Sequence, residues 1–288
     1  MQSTFRLIFT GIAMVLPGIL ISKLGMVNGV LNTEVGIRKT VILITILSVL
    51  GIYACIFFLK EKQLTQNRPK TESLGFMKSI SHLKDKEIIL YFLGYFFFFC
   101  GFNILRGDLT YYLSTVMQKD IKYLTVISVV LFGMAGLFFP ITNKFGKKYS
   151  YKKILIVDML LLIAGTFGLL FINKNNSIFA YVFFVICGAG LSGAAFIFPQ
   201  AMLSEISAKL SEIKKISLEG FMFGIQGMFL KLAFLVQQVV QSTLLVAGNQ
   251  NVQNGVKGAT ELGVKVTLVV ALALFGVSLF FYNLKKED

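Results

Sequence analysis

Apolar residues fall along this chain in long blocks, parted by shorter stretches that hold most of the charge. An α-helix rises about 1.5 Å per residue and needs about 20 apolar residues to cross a bilayer core. On that measure the sequence predicts about eight spans: Phe5–Leu24, Thr40–Leu59, Ile88–Leu113, Tyr123–Thr142, Ile154–Ile172, Ile178–Pro199, Phe221–Ala247 and Val264–Leu284. The expected fold is therefore an all-α polytopic membrane protein. Leu7–Ile21 follows Arg6 as a secretory signal would, but no A-x-A-like cleavage site comes after it, so a first membrane span is expected.

The seventh block is interrupted by Lys231. It stands eleven residues beyond Gly220, so about 16 Å along the helix, too deep to snorkel easily. An ammonium ion there costs a few kcal/mol or more and by default faces protein or a water-filled path. Lys231 is thus a candidate functional residue. Gln238 shares its helical face, Gln241 is offset by about 80°, and Gln226 lies on another side.

Composition agrees: 56% of residues are hydrophobic, against a more charged average for soluble domains. The net charge of +14 raises the question of nucleic acid, but the basic residues sit in loops between apolar blocks. A lipid bilayer, not nucleic acid, is the expected partner. Summed over alternate loops, the lysines and arginines on the side of both termini outnumber the others about twofold. Both termini are therefore expected in the cytoplasm, with the protein in the cell membrane. Cys55, Cys100 and Cys187 lie inside apolar spans without metal-binding spacing, and the single histidine, His82, lies in a charged loop. No metal site and no catalytic group is expected.

The longest polar stretch, Lys60–Glu87, has linker composition at its centre and separates two spans from six. In the third span Asn103, Arg106, Asp108 and Tyr111 interrupt apolar sequence. Asn103 and Arg106 share a face, whereas Arg106 and Asp108, two residues apart, point to different sides. These residues fit either a polar wall of a substrate cavity or an interfacial anchor with belt aromatics. Cys187–Pro199 is rich in small residues that let helices approach, and Pro199 is expected to end or kink that helix. Asn143–Lys148, with Gly146, Lys147 and Lys148, reads as a tight basic turn between the fourth and fifth spans. Asp158 is expected to form a structural ion pair with those lysines.

Pro199-Gln-Ala-Met-Leu-Ser-Glu205-Ile, followed by Glu219-Gly220-Phe-Met-Phe223-Gly-Ile-Gln226-Gly-Met-Phe-Leu-Lys231, resembles the late-chain signature of the glycoside–pentoside–hexuronide:cation symporters, the branch of the major facilitator superfamily that includes the melibiose carrier. Asn143–Lys148 is similar to that superfamily's Gly-turn loop. The resemblance implies sugar transport coupled to Na⁺, H⁺ or Li⁺ by alternating access between two six-helix halves. It places Lys231 near sugar and cation sites and gives Glu205 and Glu219 structural or gating roles. The eight spans would be family helices five to twelve. Residues 1–59 would hold the last two helices of the first half, 60–87 the cytoplasmic central loop and 88–288 the second half. Asn143 and Ser217 replace an acid and an arginine of the family pattern. The family's acidic cation ligands lie on its first four helices. The expectation is thus an N-terminally truncated or partial chain, or one that works with a separate N-terminal helical fragment.

Two other classes compete. A non-transporting remnant or subunit is one. A membrane enzyme is the other, disfavoured because the acids within spans, Asp108 and Asp158, are far apart and no histidine joins them. The loop charges make a direct forecast: a reporter fused after Asp288 will be active only if its active compartment is the cytoplasm, and periplasmic activity would reverse the assigned topology.

Overall fold

The computed structural model describes residues 13, 16–17, 19–27, 30–58, 85–120, 122–214, 218–248 and 258–284. These belong to two compact units, one within Ile12–Ser73 and one within Leu74–Asp288. Most of the expected first span and nearly all of the Lys60–Glu87 stretch lie outside the described residues.

In the first unit a minimal antiparallel ribbon pairs β1 (Met26–Val27) with β2 (Val30–Leu31). Helix α1 (Thr33–Phe58) follows. It starts seven residues earlier than the apolar run suggested. The Asn32 side-chain oxygen accepts the Val35 amide at 3.2 Å, an N-cap that satisfies a free donor of the first turn, and Glu34 there complements the helix dipole. An 18-residue stretch within Glu34–Phe58 has a mean hydropathy of 2.7, and Ile46, Leu50 and Phe57 are exposed, a surface suited to lipid.

The second unit holds α2 (Lys86–Tyr111), α3 (Tyr123–Tyr149), α4 (Tyr151–Leu169), α5 (Ala180–Ala194), α6 (Phe198–Lys214), α7 (Glu219–Leu244) and α8 (Glu261–Leu284). Helix α2 packs between α7 and α8, and α5 packs between α3 and α4; α4 joins the two sets through α8. Six described helical stretches are long and apolar enough to cross a membrane, and with this packing the chain is a multi-pass membrane protein, helical among its described residues but for the short β1–β2 ribbon.

Because lipid is as apolar as leucine, such helices are held by close packing and internal hydrogen bonds rather than by the hydrophobic effect. The α4–α5 seam shows this. A Cβ at Gly190 would run into the Asp158 carbonyl oxygen and stand 2.7 Å from the Leu162 nitrogen. On the α3 side, Thr142 and Ser192 hydroxyls meet at 2.8 Å. On the α2–α8 seam the Ser278 hydroxyl donates to the Gly94 carbonyl at 2.7 Å.

Several boundaries differ from those read in the sequence. Helix α2 does not stop at Leu113 but passes into a π segment, Tyr112–Val116, anchored where the Tyr112 hydroxyl donates to the Leu169 carbonyl at 2.8 Å. The expected turn at Asn143–Lys148 is helical. Helix α3 runs through it to Tyr149, and the chain reverses at Ser150, whose φ of 118° few non-glycine residues adopt. Gly146 is thus selected by packing and not by turn geometry: a Cβ there would stand 3.0 Å from both Phe198 and Tyr151 ring carbons. The expected sixth span divides into a 3₁₀ segment, Lys174–Phe179, then α5, a break at Ala195–Ile197, and α6. The interruption precedes Pro199, which occupies the first turn of α6, where its missing N–H is no loss. Helix α6 is amphipathic, burying Met202, Leu203, Ile206 and Leu210 while exposing Glu205 and Lys209.

Asp158 forms no ion pair among the described residues, contrary to expectation. It is 4% exposed and faced by the Gly193 backbone amide, with no room for a side chain at that glycine. Its helical face is turned into the α4–α5 seam, while Lys147, Lys148 and Lys153 point outward. Lys152 reaches the Asn283 carbonyl at 3.0 Å instead. The seam yields a forecast. Gly190→Ala will lower the thermal unfolding midpoint in detergent, by the equivalent of about 1–3 kcal/mol for an overpacked contact. Gly276→Ala, with open space around the new methyl, will leave it unchanged or slightly raised.

Candidate functional site

Helices α2 and α7 run side by side in the same direction and meet at two polar levels. At the level of their N-terminal ends, the buried Tyr91 hydroxyl donates to the Pro199 carbonyl at 2.6 Å. It accepts from the Gln226 amide at 2.7 Å, and Gln200 donates to the Gln226 oxygen at 3.2 Å. One phenol thereby ties α2, α6 and α7 together. Above it Phe92 stacks on Phe229 with centroids 5.3 Å apart.

At the C-terminal level lies Asp108, 1% exposed. The Gln241 amide nitrogen donates to its Oδ1 at 2.8 Å, and also approaches the Ile104 carbonyl at 3.4 Å. Gln237 in turn donates to the Gln241 oxygen at 2.6 Å. Gly107 makes this possible, because a Cβ there would run into the Gln241 amide. Thr267 of α8 closes the third side. Asp108 Oδ2 and the nearby Asn103 Nδ2 are buried without a hydrogen-bond partner.

Arg106 lies two residues from Asp108, about 200° around the helix, and points away from it. It is half-buried, with its guanidinium carbon 5.5 Å from the centroid of the Phe234 ring on α7. Helix α7 buries one face, with Met222, Gln226, Ala233, Gln237 and Gln241. Lys231 stands on the opposite, exposed face with Gln238, and Gly220, Gly224 and Gly227 on that face have open space above them. Tyr111 is exposed at the end of α2.

The structure therefore separates residues that the sequence grouped. Asp108 and Gln226 belong to internal networks. Lys231, Gln238 and Arg106 face outward, and Asn103 is buried beneath. Gly146, Lys147 and Lys148 close α3, Glu205 is exposed on α6, and Glu219 is exposed in the first turn of α7. Sequence reasoning missed Tyr91, Gln200, Gln237 and Thr267, and left Gln241 outside the site. The i, i+4 spacing of Gln237 and Gln241 was the one available signal. Among the described residues no group of three or more His, Cys, Asp and Glu comes together to hold a metal ion. What the arrangement offers is hydrogen-bonding and charge recognition. Replacing Gln241 by Leu leaves a buried carboxylate and the Gln237 amide without partners. It will destabilise the detergent-solubilised protein by about 1–3 kcal/mol, read as a lower unfolding midpoint, whereas Gln238→Leu on the exposed face will not.

Helices of this length, an intramembrane lysine, and polar residues layered between parallel helices suit a carrier for a polar solute. No curated protein matches the chain. The family model described as MFS/sugar transport protein matches residues 1–286, and the chain belongs to that family of the major facilitator superfamily.

Proposed function

We propose that this protein is a sugar:cation symporter of the glycoside–pentoside–hexuronide type, working by alternating access in the cell membrane with both termini in the cytoplasm. The observation that carries this reading is the outward face of α7. A lipid-facing helix has no use for Gly220, Gly224, Gly227, Lys231 and Gln238 on one side, because a charge in hydrocarbon is costly and small residues there forgo packing. Such a face suits contact with other helices or a hydrated path. Membership of a sugar-transport family supplies the solute class. Lys231, as a fixed positive charge beside that path, is placed to respond to entry of a cation through electrostatic repulsion, which links cation and sugar occupancy. Arg106 and Gln238 are the remaining candidates for contact with solute.

The test is uptake of labelled sugars into proteoliposomes under imposed Na⁺, Li⁺ or H⁺ gradients. Accumulation driven by one of these gradients and abolished by dissipating it is the expected result. Lys231→Gln will lower gradient-driven uptake by about tenfold or more while leaving the protein folded. Equilibration without accumulation under every gradient would make it a facilitator and end the symport reading.

A further inference from the structure

The α4–α5 seam holds a carboxyl that no positive charge balances. Asp158 Oδ2 is buried without a hydrogen-bond partner, and the Gly193 backbone amide faces the carboxyl from α5. Three side chains from three helices converge at this glycine. The point that a Gly193 Cβ would occupy lies within 2.7 Å of Asp158 Oδ2 on α4, the Thr142 methyl on α3 and the Phe198 ring on α6. The Phe198 ring also lies 3.0 Å from where a Gly146 Cβ would stand and 5.9 Å, between centroids, from Tyr151.

No cation meets Asp158 from any helix packed against α4. On α3, Lys144, Lys147 and Lys148 are exposed. On α5 the Cys187 thiol packs on Leu162 and Thr166, one turn further along α4. On α6, Glu205 is exposed and Lys209 lies a turn beyond it. On α8, Tyr282 packs on Gly94, and the Asn283 carbonyl takes Lys152. On α4 itself, Lys153 is exposed.

A carboxylate buried in this way must gain a cation or a proton. Space decides between them. A hard metal ion gathers about six oxygen ligands, whereas Gly193 lacks room even for a methyl group and a ring and a methyl wall the oxygen. A proton needs one acceptor. Ser192 donates its hydroxyl to the Ala189 carbonyl at 2.8 Å, so Thr142 is the donor in the 2.8 Å contact between the two hydroxyls. Thr142 Oγ1 thereby keeps lone pairs with which to accept.

The carboxyl also adjoins the break between α5 and α6. The Ile197 amide reaches back to the Gly193 carbonyl at 3.2 Å, and Ala195, Phe196, Ile197 and Phe198 are all buried. Ionised Asp158 needs water, and the Phe198 ring at the start of α6 stands against Oδ2.

We propose that Asp158 is a proton-binding site that fastens the α5–α6 joint. With the proton on Oδ2 the joint stays packed. When that proton passes to water, Phe198 is displaced and α6 is freed to move relative to α5. One proton is exchanged with solvent and no other bond changes. The joint lies within the second unit, and its behaviour is independent of the solute and of the ion that drives transport.

The test uses the full-length protein in detergent, with no sugar and no gradient. Amide hydrogen exchange over residues 193–203 is followed from about pH 6 to about pH 9, with the intrinsic effect of pH on exchange divided out. Opening of the joint is expected to rise by about tenfold or more across that range. Asp158→Asn, which reproduces the shape and neutrality of the protonated acid, is expected to hold opening at its low-pH level throughout. The sign for global stability follows. A proton kept in the folded state and lost on unfolding makes stability fall as pH rises above about 4, where an unfolded aspartate ionises. The unfolding midpoint of Asp158→Asn should therefore exceed that of the unaltered protein at high pH. Asp108 is a second buried carboxyl that bears on the midpoint, so exchange at the joint is the deciding readout. Opening that ignores pH in the unaltered protein, or that rises equally in Asp158→Asn, overturns the proposal. So does failure of Asp158→Asn to fold, because the neutral form is the one the joint is built around.

Discussion

The packing of α2 against α7 is governed by the absence of water. A hydroxyl, amide or carboxyl that enters a bilayer must find its partner inside the protein. Tyr91, Asp108, Gln226, Gln237 and Gln241 are all buried in this contact, and each has at least one partner across the helix pair or along it. These bonds fix the rotation of α7 about its own axis. With Gln226, Gln237 and Gln241 committed inward, Lys231 and Gln238 must face outward. The face proposed for function is thus a consequence of the structural one, because a helix has only so many directions to distribute.

The same constraint explains why part of the fold was legible and part was not. The order of the helices follows from the apolar runs, and α2, α3, α7 and α8 overlap the stretches read from sequence; eight spans were expected, whereas six described helical stretches are long and apolar enough to cross a membrane. The class of the protein was legible for the same reason, since no soluble fold asks for such runs. Helix ends were less legible because hydropathy does not report them. Asn32 extends α1 into polar sequence by capping it. Lys144, Lys147 and Lys148 are good helix formers that carry α3 past the point where its hydropathy falls. The division between α5 and α6 was hidden because Ala195–Ile197 is as apolar as its neighbours.

Within the site, residues marked by a charge in an apolar window were found, and Tyr91, marked only by its partners, was not. Lys231 and Arg106 stand out in any apolar window. Tyr91 looks like one more aromatic in a run that continues through Phe99, yet its hydroxyl links three helices. Asp158 illustrates the opposite error. Its closeness in sequence to five lysines suggested an ion pair, but sequence distance says nothing of helical face, and the carboxylate is turned toward Gly193.

The π segment at Tyr112–Val116 has a consequence for descent. Such a turn holds one more residue than an α-turn, and here it is fastened to α4 through the Tyr112 hydroxyl. It is the last turn of the helix, with Met117 as its C-cap, so the extra residue falls at the helix end. A relative whose helix stays α throughout would align with this one only by opening a single-residue gap there. An insertion or loss of one residue within these five positions is the kind of mutation this helix end can absorb, leaving Arg106 and Asp108 where they are while the non-helical chain from Met117 takes up the change.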